Sequence, residues 1–178
     1  MNIEDIDWTK ILLRPIKNLG YKFSYNMSKL IIKTPELHIP FGIELYNRKE
    51  ILNFSLIDNN NERHNFIHYI KTLEKIFEEI SNKKSPLLPF IKFPPDFIKD
   101  INQKENVKTL RSSNNSYLLR THLSKNTEII KLNNNKKIYI EKKDILNKKC
   151  SCELELSRIW IYKNKYGLLW NVNKIVIA

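Results

Sequence analysis

Glycine is scarce in this chain, with three residues among 178. That excludes a glycine-rich phosphate loop, and the chain has neither an H-E-x-x-H nor a G-x-S-x-G nucleophile turn. The four histidines, His38, His64, His68 and His122, are scattered along the sequence. No enzymatic activity is expected. Cysteine is scarcer still: Cys150 and Cys152 are too close for an ordinary disulfide and are expected as reduced thiols. Zinc could be imagined between these two and the i, i+4 pair His64 and His68. C-x-C is a poor zinc spacing, however, and nothing in the sequence brings the pairs together. No metal or cofactor is expected. No run of eighteen apolar residues occurs, and the opening MNIEDIDWTK is acidic. These features predict a cytoplasmic protein with neither a membrane span nor a signal peptide.

What is present is a folded protein's share of apolar residues, 42%, with 11% aromatic. The length suits a single domain over 1–178. The formal net charge is +12, unevenly placed. Residues 1–100 hold 15 Lys and Arg against 13 Asp and Glu, whereas residues 101–178 hold 16 against 6. A basic half implies a polyanionic partner, nucleic acid before an anionic membrane.

The most ordered stretch is ELELSRIWIYKNKYGLLWNVNKIVI, residues 153–177. Its β-branched and aromatic residues predict two long strands joined by a tight turn at Asn164-Lys165. Alternation places Arg158, Trp160 and Tyr162 on one face and Ile159 and Ile161 on the other. In that register Gly167 opens space beside Tyr162, and Trp170 lies against the isoleucines.

Upstream, residues 1–27 are hard to read: a short helix around residues 8–16, disturbed by Pro15, then a strand over 21–25. A strand at 30–33 leads into an arm that Pro35 and Pro40 bar from being a regular central strand. Gly42 follows Phe41 and allows a bend. A strand is expected over 51–57. Phe66, Ile70, Leu73, Phe77 and Ile80 then form one helical stripe, capped by Asn59 or Asn60. Its polar face carries Glu62, Glu74, Glu78 and Glu79, which would repel an anionic leaflet. Residues 82–115, with four prolines, read as a long loop. Strands resume over 117–123, 128–132 and 137–140. The sum is a mainly β, α+β protein: an antiparallel barrel of the oligonucleotide-binding (OB) type with an inserted amphipathic helix and a C-terminal hairpin.

Two blocks carry a family resemblance: IIKTPELHIPFGIELYN with the strand and helix after it, and the terminal LSRIWIYKNKYGLLWNVNKIVI. Thr34-Pro35, Pro40-Phe41-Gly42, Ile159-Trp160, Gly167 and Trp170 fall in an order similar to the OB-fold single-stranded-DNA-binding proteins of large cytoplasmic DNA viruses. The A+T-rich composition also suits the related cytoplasmic linear plasmids. The proline-rich SPLLPFIKFPP stands where that family would have an aromatic-rich strand.

The resemblance implies sequence-independent binding of single-stranded DNA in replication. RNA is the alternative polymer, and self-association along the strand and contacts with replication proteins fit the same role. Such a protein needs rings for bases and cations for phosphates. The expected stacking rings are Trp160, Tyr162, Tyr166 and Tyr117, and the expected phosphate contacts are Arg158, Lys163, Lys165, Lys174 and Arg120. Trp170 and Phe41 are assigned to the core. The competing reading is a sequence-specific binder of duplex or DNA ends, or an accessory subunit of replication or transcription.

Overall fold

Alternating apolar residues and Asn-rich turns make this chain mostly strand. The computed structural model describes residues 6–89, 92–113, 116–134 and 136–178. A 3-10 turn, Trp8–Lys10, precedes β1 (Ile11–Ile16) and β2 (Gly20–Tyr25), which form an antiparallel hairpin. Then come β3 (Leu30–Lys33), β4 (Leu37–His38), β5 (Ile43–Tyr46) and β6 (Lys49–Leu56). The main helix, α1 (Asn61–Ser81), and the short α2 (Phe97–Ile101) follow. The rest is β7 (Glu105–Asn106), β8 (Leu110–Ser113), β9 (Ser116–Asn133), β10 (Lys136–Tyr139), β11 (Lys149–Tyr162) and β12 (Lys165–Ile177), with a 3-10 turn at Lys142–Ile145.

Five of these strands close on themselves. β4 pairs β6, β6 pairs β9, β9 pairs β12, β12 pairs β11, and β11 returns to β4. In chain order the ring reads first, second, third, fifth, fourth. The third and fifth members, β9 and β12, run parallel; the neighbours β4 and β6, and β6 and β9, run antiparallel. The expected mainly β architecture, with a barrel and one main helix, is therefore present.

The two prolines act as anticipated. β4 is cut to two residues between Pro35 and Pro40, so only Leu37 and His38 join the ring. Thr34 steadies the approach, since its backbone N–H donates to the Cys152 carbonyl at 2.9 Å and its Oγ1 accepts from the Cys152 N–H at 2.9 Å.

Contacts gather the chain into two compact units. One comprises residues 1–30, 68–108 and 156–169; the other comprises 31–67, 109–155 and 170–178. The first has an aromatic core, in which Tyr21 meets Phe97 edge-on at 5.0 Å and Phe23 meets Phe77 at 6.4 Å. In the second, Ile39, Leu52, Phe54, Leu119, Leu154, Trp170, Val172 and Ile175 are fully buried.

Within α1, Phe66, Ile70, Leu73, Phe77 and Ile80 are all buried, as their spacing requires. Asn60 caps the helix, its Oδ1 accepting the Arg63 N–H at 2.9 Å. Glu74, expected on the polar face, is buried instead.

Three expectations need correction. The helix read over 8–16 is the 3-10 turn plus β1, and Pro15 sits inside that strand opposite Tyr21. Proline is tolerated because β1 is the outermost strand of its sheet. The loop read over 82–115 contains α2, β7 and β8. The strands read separately over 117–123 and 128–132 are one strand, β9, both of whose halves pair with β12, the polar residues 124–127 standing out of that ladder at a register shift between Val172 and Lys174.

Trp170 has no exposed surface and is the largest fully buried side chain. Trp170→Ala is expected to destabilise the protein by about 3–5 kcal/mol, the usual cost of deleting a large core ring. A urea melt of the variant beside the parent measures it.

Candidate nucleic-acid interface

The strand ends place the hairpin turn at Lys163-Asn164, one residue earlier than expected, with Tyr162 and Lys165 flanking it. That slip changes which residues meet. Gly167 lies beside Trp160 and not beside Tyr162: a Cβ on Gly167 would stand 2.8 Å from the indole Cζ2 and 2.8 Å from the Val107 carbonyl. The half-buried indole therefore rests where only glycine leaves room.

Arg158 is half-buried, and Tyr162 is 66% exposed. The Lys163 Nζ lies 5.4 Å from the Tyr162 ring centroid, within cation–π range. Lys163 also accepts at its carbonyl oxygen from Lys104 Nζ at 2.5 Å. β11 thus presents Arg158, Trp160 and Tyr162 in alternation, ending in a lysine at the turn.

The other expected residues divide. Lys165 pairs with Glu105 at 3.4 Å, and Lys174 stands 3.7 Å from Glu128, which Lys137 also approaches at 3.2 Å. These cations hold Glu128 below the usual carboxylate range, with the Lys137 hydrogen bond the largest influence. Tyr166 is a correction. It is wholly buried, its hydroxyl donates to Ser81 Oγ at 3.3 Å, and burial pushes its pKa up to about 12. A ring so enclosed is core and offers no face to a base.

A second cluster lies on β6 and β9. Arg120 stands directly opposite Asn53 in the ladder, and its Nε donates to Asn53 Oδ1 at 3.3 Å. Asn53 in turn donates from Nδ2 to Glu44 Oε2 at 2.6 Å. The Arg120 guanidinium also lies 5.9 Å from the Tyr46 ring centroid. Arg120, Asn53, Glu44, Phe41, Arg111 and Leu118 line a cleft of about 280 Å³. Phe41, assigned to the core from sequence, is instead 57% exposed at the rim of this cleft, next to Gly42 with φ +69°. Tyr117 is half-buried, flanked in the ladder by Leu56 and Ser112. Sequence reading found Arg120 here and missed Arg111, Tyr46 and Phe41. Phe41 lies in the Pro40-Phe41-Gly42 bend, where strand alternation does not apply, whereas Tyr46 ends β5 opposite Lys49.

The thiols of Cys150 and Cys152 are buried 3.7 Å apart, and burial raises the pKa of Cys152. His64 is instead 3.2 Å from Asp58. Among the described residues no three His, Cys, Asp or Glu gather to hold a metal, and no helix is long and apolar enough to cross a membrane.

No family model matches the chain, and no curated protein sequence does. Solved structures do. A single-stranded DNA-binding protein from bacteriophage Enc34 is similar over 94% of this chain and 89% of its own, at 11% identity and a TM-score of 0.50. The single-stranded DNA-binding protein gp2.5 encoded by bacteriophage T7 is similar over 85% of this chain and 93% of its own, at 9% identity and a TM-score of 0.50. The fold is of the OB type. In OB barrels the face of the second and third strands, and the loops joining first to second and fourth to fifth, are where oligonucleotides bind. In this ring the second and third strands are β6 and β9, residues 39–48 join the first strand to the second, and the Lys163-Asn164 turn joins the fourth to the fifth.

Tyr166 also sets an alkaline limit. Its hydroxyl is protonated in both states below its unfolded value near 10 and, in the native state, up to about 12. Between those values only the unfolded chain loses the proton, so stability falls as pH rises through that window. Tyr166→Phe should melt with a shallower decline from pH 10 to 12 than the parent, read by circular dichroism.

Proposed function

We propose that this protein binds single-stranded DNA without regard to sequence, using rings for bases and cations for phosphates. The observation that carries the reading is the β11 face, where Arg158, Trp160 and Tyr162 alternate toward Lys163. Flat rings between fixed cations suit any base, since every base has a π-face. The β6–β9 cleft supplies further candidates in Arg120, Arg111, Phe41 and Tyr46. Lys165 and Lys174 are kept as phosphate contacts: surface ion pairs such as theirs contribute little and are readily exchanged for phosphate.

The fold likeness to two proteins described as single-stranded DNA-binding supports the reading. A role in replication, membership of the cytoplasmic-virus and linear-plasmid family, and cooperative assembly along the strand are parts of the same proposal. RNA is tested by the same titrations.

Unpaired oligonucleotides of mixed sequence should bind with similar affinity, and duplex should compete poorly; equal competition by duplex refutes the stacking model. For ~3–5 neutralised phosphates the slope of log K against log salt should be about −2 to −3.5. Trp160→Ala should weaken oligo-dT binding by ~1–3 kcal/mol while the variant still melts cooperatively.

A further inference from the structure

Three cations stand in one row on the β1–β2–β11 sheet. Arg14 is directly opposite Lys22, and Lys22 is directly opposite Arg158. Residues paired across strands point to the same face. On the other face of the same strands, Leu13, Tyr21, Phe23 and Ile159 are buried, so the row faces outward, with Arg14 and Lys22 exposed and Arg158 half-buried. Among the described residues no carboxylate pairs with any of the three. Like charges directly opposite one another repel, and three in register span roughly 10 Å at the usual strand spacing. Such a row leaves three cations in register for an extended polyanion to lie along.

The neighbouring row says what kind. Gly20 approaches β11 so closely that a Cβ on it would collide with the Ile159 carbonyl and stand 3.0 Å from the Trp160 Cα. Its φ of +97° also favours glycine. Trp160 thus has Gly20 against its Cα and Gly167 packed against its indole, and neither neighbour sets a side chain over the ring. A row of cations beside an indole whose neighbouring strands carry glycine matches a strand whose phosphates follow the row and whose bases reach the indole.

We propose that Arg14, Lys22 and Arg158 form the phosphate track of the single-strand site, and that DNA crosses β1, β2 and β11 transversely with a base over Trp160. This rests on the single-strand reading above. A base-free polyanion would use the row but not the ring, which separates the two contributions.

The test compares the parent with Lys22→Glu and Arg14→Ala, each melted without DNA and titrated with dT oligomers and with an abasic oligomer over a salt series. Lys22→Glu places a carboxylate between two cations, so it should raise the melting temperature while weakening dT binding. Arg14→Ala should flatten the salt slope by about 0.7, for dT and abasic oligomer alike. Trp160→Ala should weaken dT binding roughly five- to a hundredfold and leave the abasic oligomer unchanged. If the parent binds dT and both row variants bind it equally well with unchanged slopes, the track is wrong and the single-strand reading stands. Loss of binding together with a lower melting temperature in Lys22→Glu would make the row structural and also overturn the track. A parent that binds no single strand refutes the reading on which the track depends.

Discussion

The hydrogen-bonding of β11 is the constraint on which the other elements depend. Its fourteen residues serve β2, β3, β4 and β12 in turn. A buried strand must satisfy its N–H and C=O groups along its length, because an orphaned one costs as much as a lost hydrogen bond. Each short partner covers a stretch of β11 and hands over to the next: Cys150 faces Leu37, Cys152 meets Thr34, Arg158 faces Lys22. The side chains presented at 158–162 follow from that ladder, since pairing decides which residues alternate outward.

How much of this could be read beforehand depended on whether local pattern or tertiary pairing decided the outcome. The α1 stripe and the C-terminal hairpin were legible because their periodicity is strong and unbroken. The turn was misplaced by one residue because Lys163, Asn164 and Lys165 are equally polar, and only backbone pairing selects between neighbouring two-residue turns. β1 was illegible because its Pro15 argues against a strand, and only its outermost position excuses it. Tyr166 and Phe41 exchanged expected places for a related reason. Alternation predicts sides of a strand, yet Tyr166 lies with α1's Ser81 on its hydroxyl, and Phe41 is in a loop with no alternation to follow.

Charge was legible only as a total. Counting by halves marked residues 101–178 as the basic part. In the fold many of those lysines have acids beside them, as Lys137 and Lys174 have Glu128, and Lys142 has Glu50 at 2.5 Å. Two members of the unpaired row, Arg14 and Lys22, come instead from the near-neutral half. What sets the proposed track apart is that, among the described residues, no carboxylate stands opposite its cations, a property of strand register that composition does not carry.

The two thiols bear on how the protein can be handled. Cys150 and Cys152 are 1% and 3% exposed, and burial holds the Cys152 thiol in its protonated, unreactive form. A maleimide dye meets neither in the native state. A single cysteine introduced at an open position such as Asn164 would therefore take one fluorophore without removing the native pair, giving a site-specific reporter on the otherwise unaltered chain.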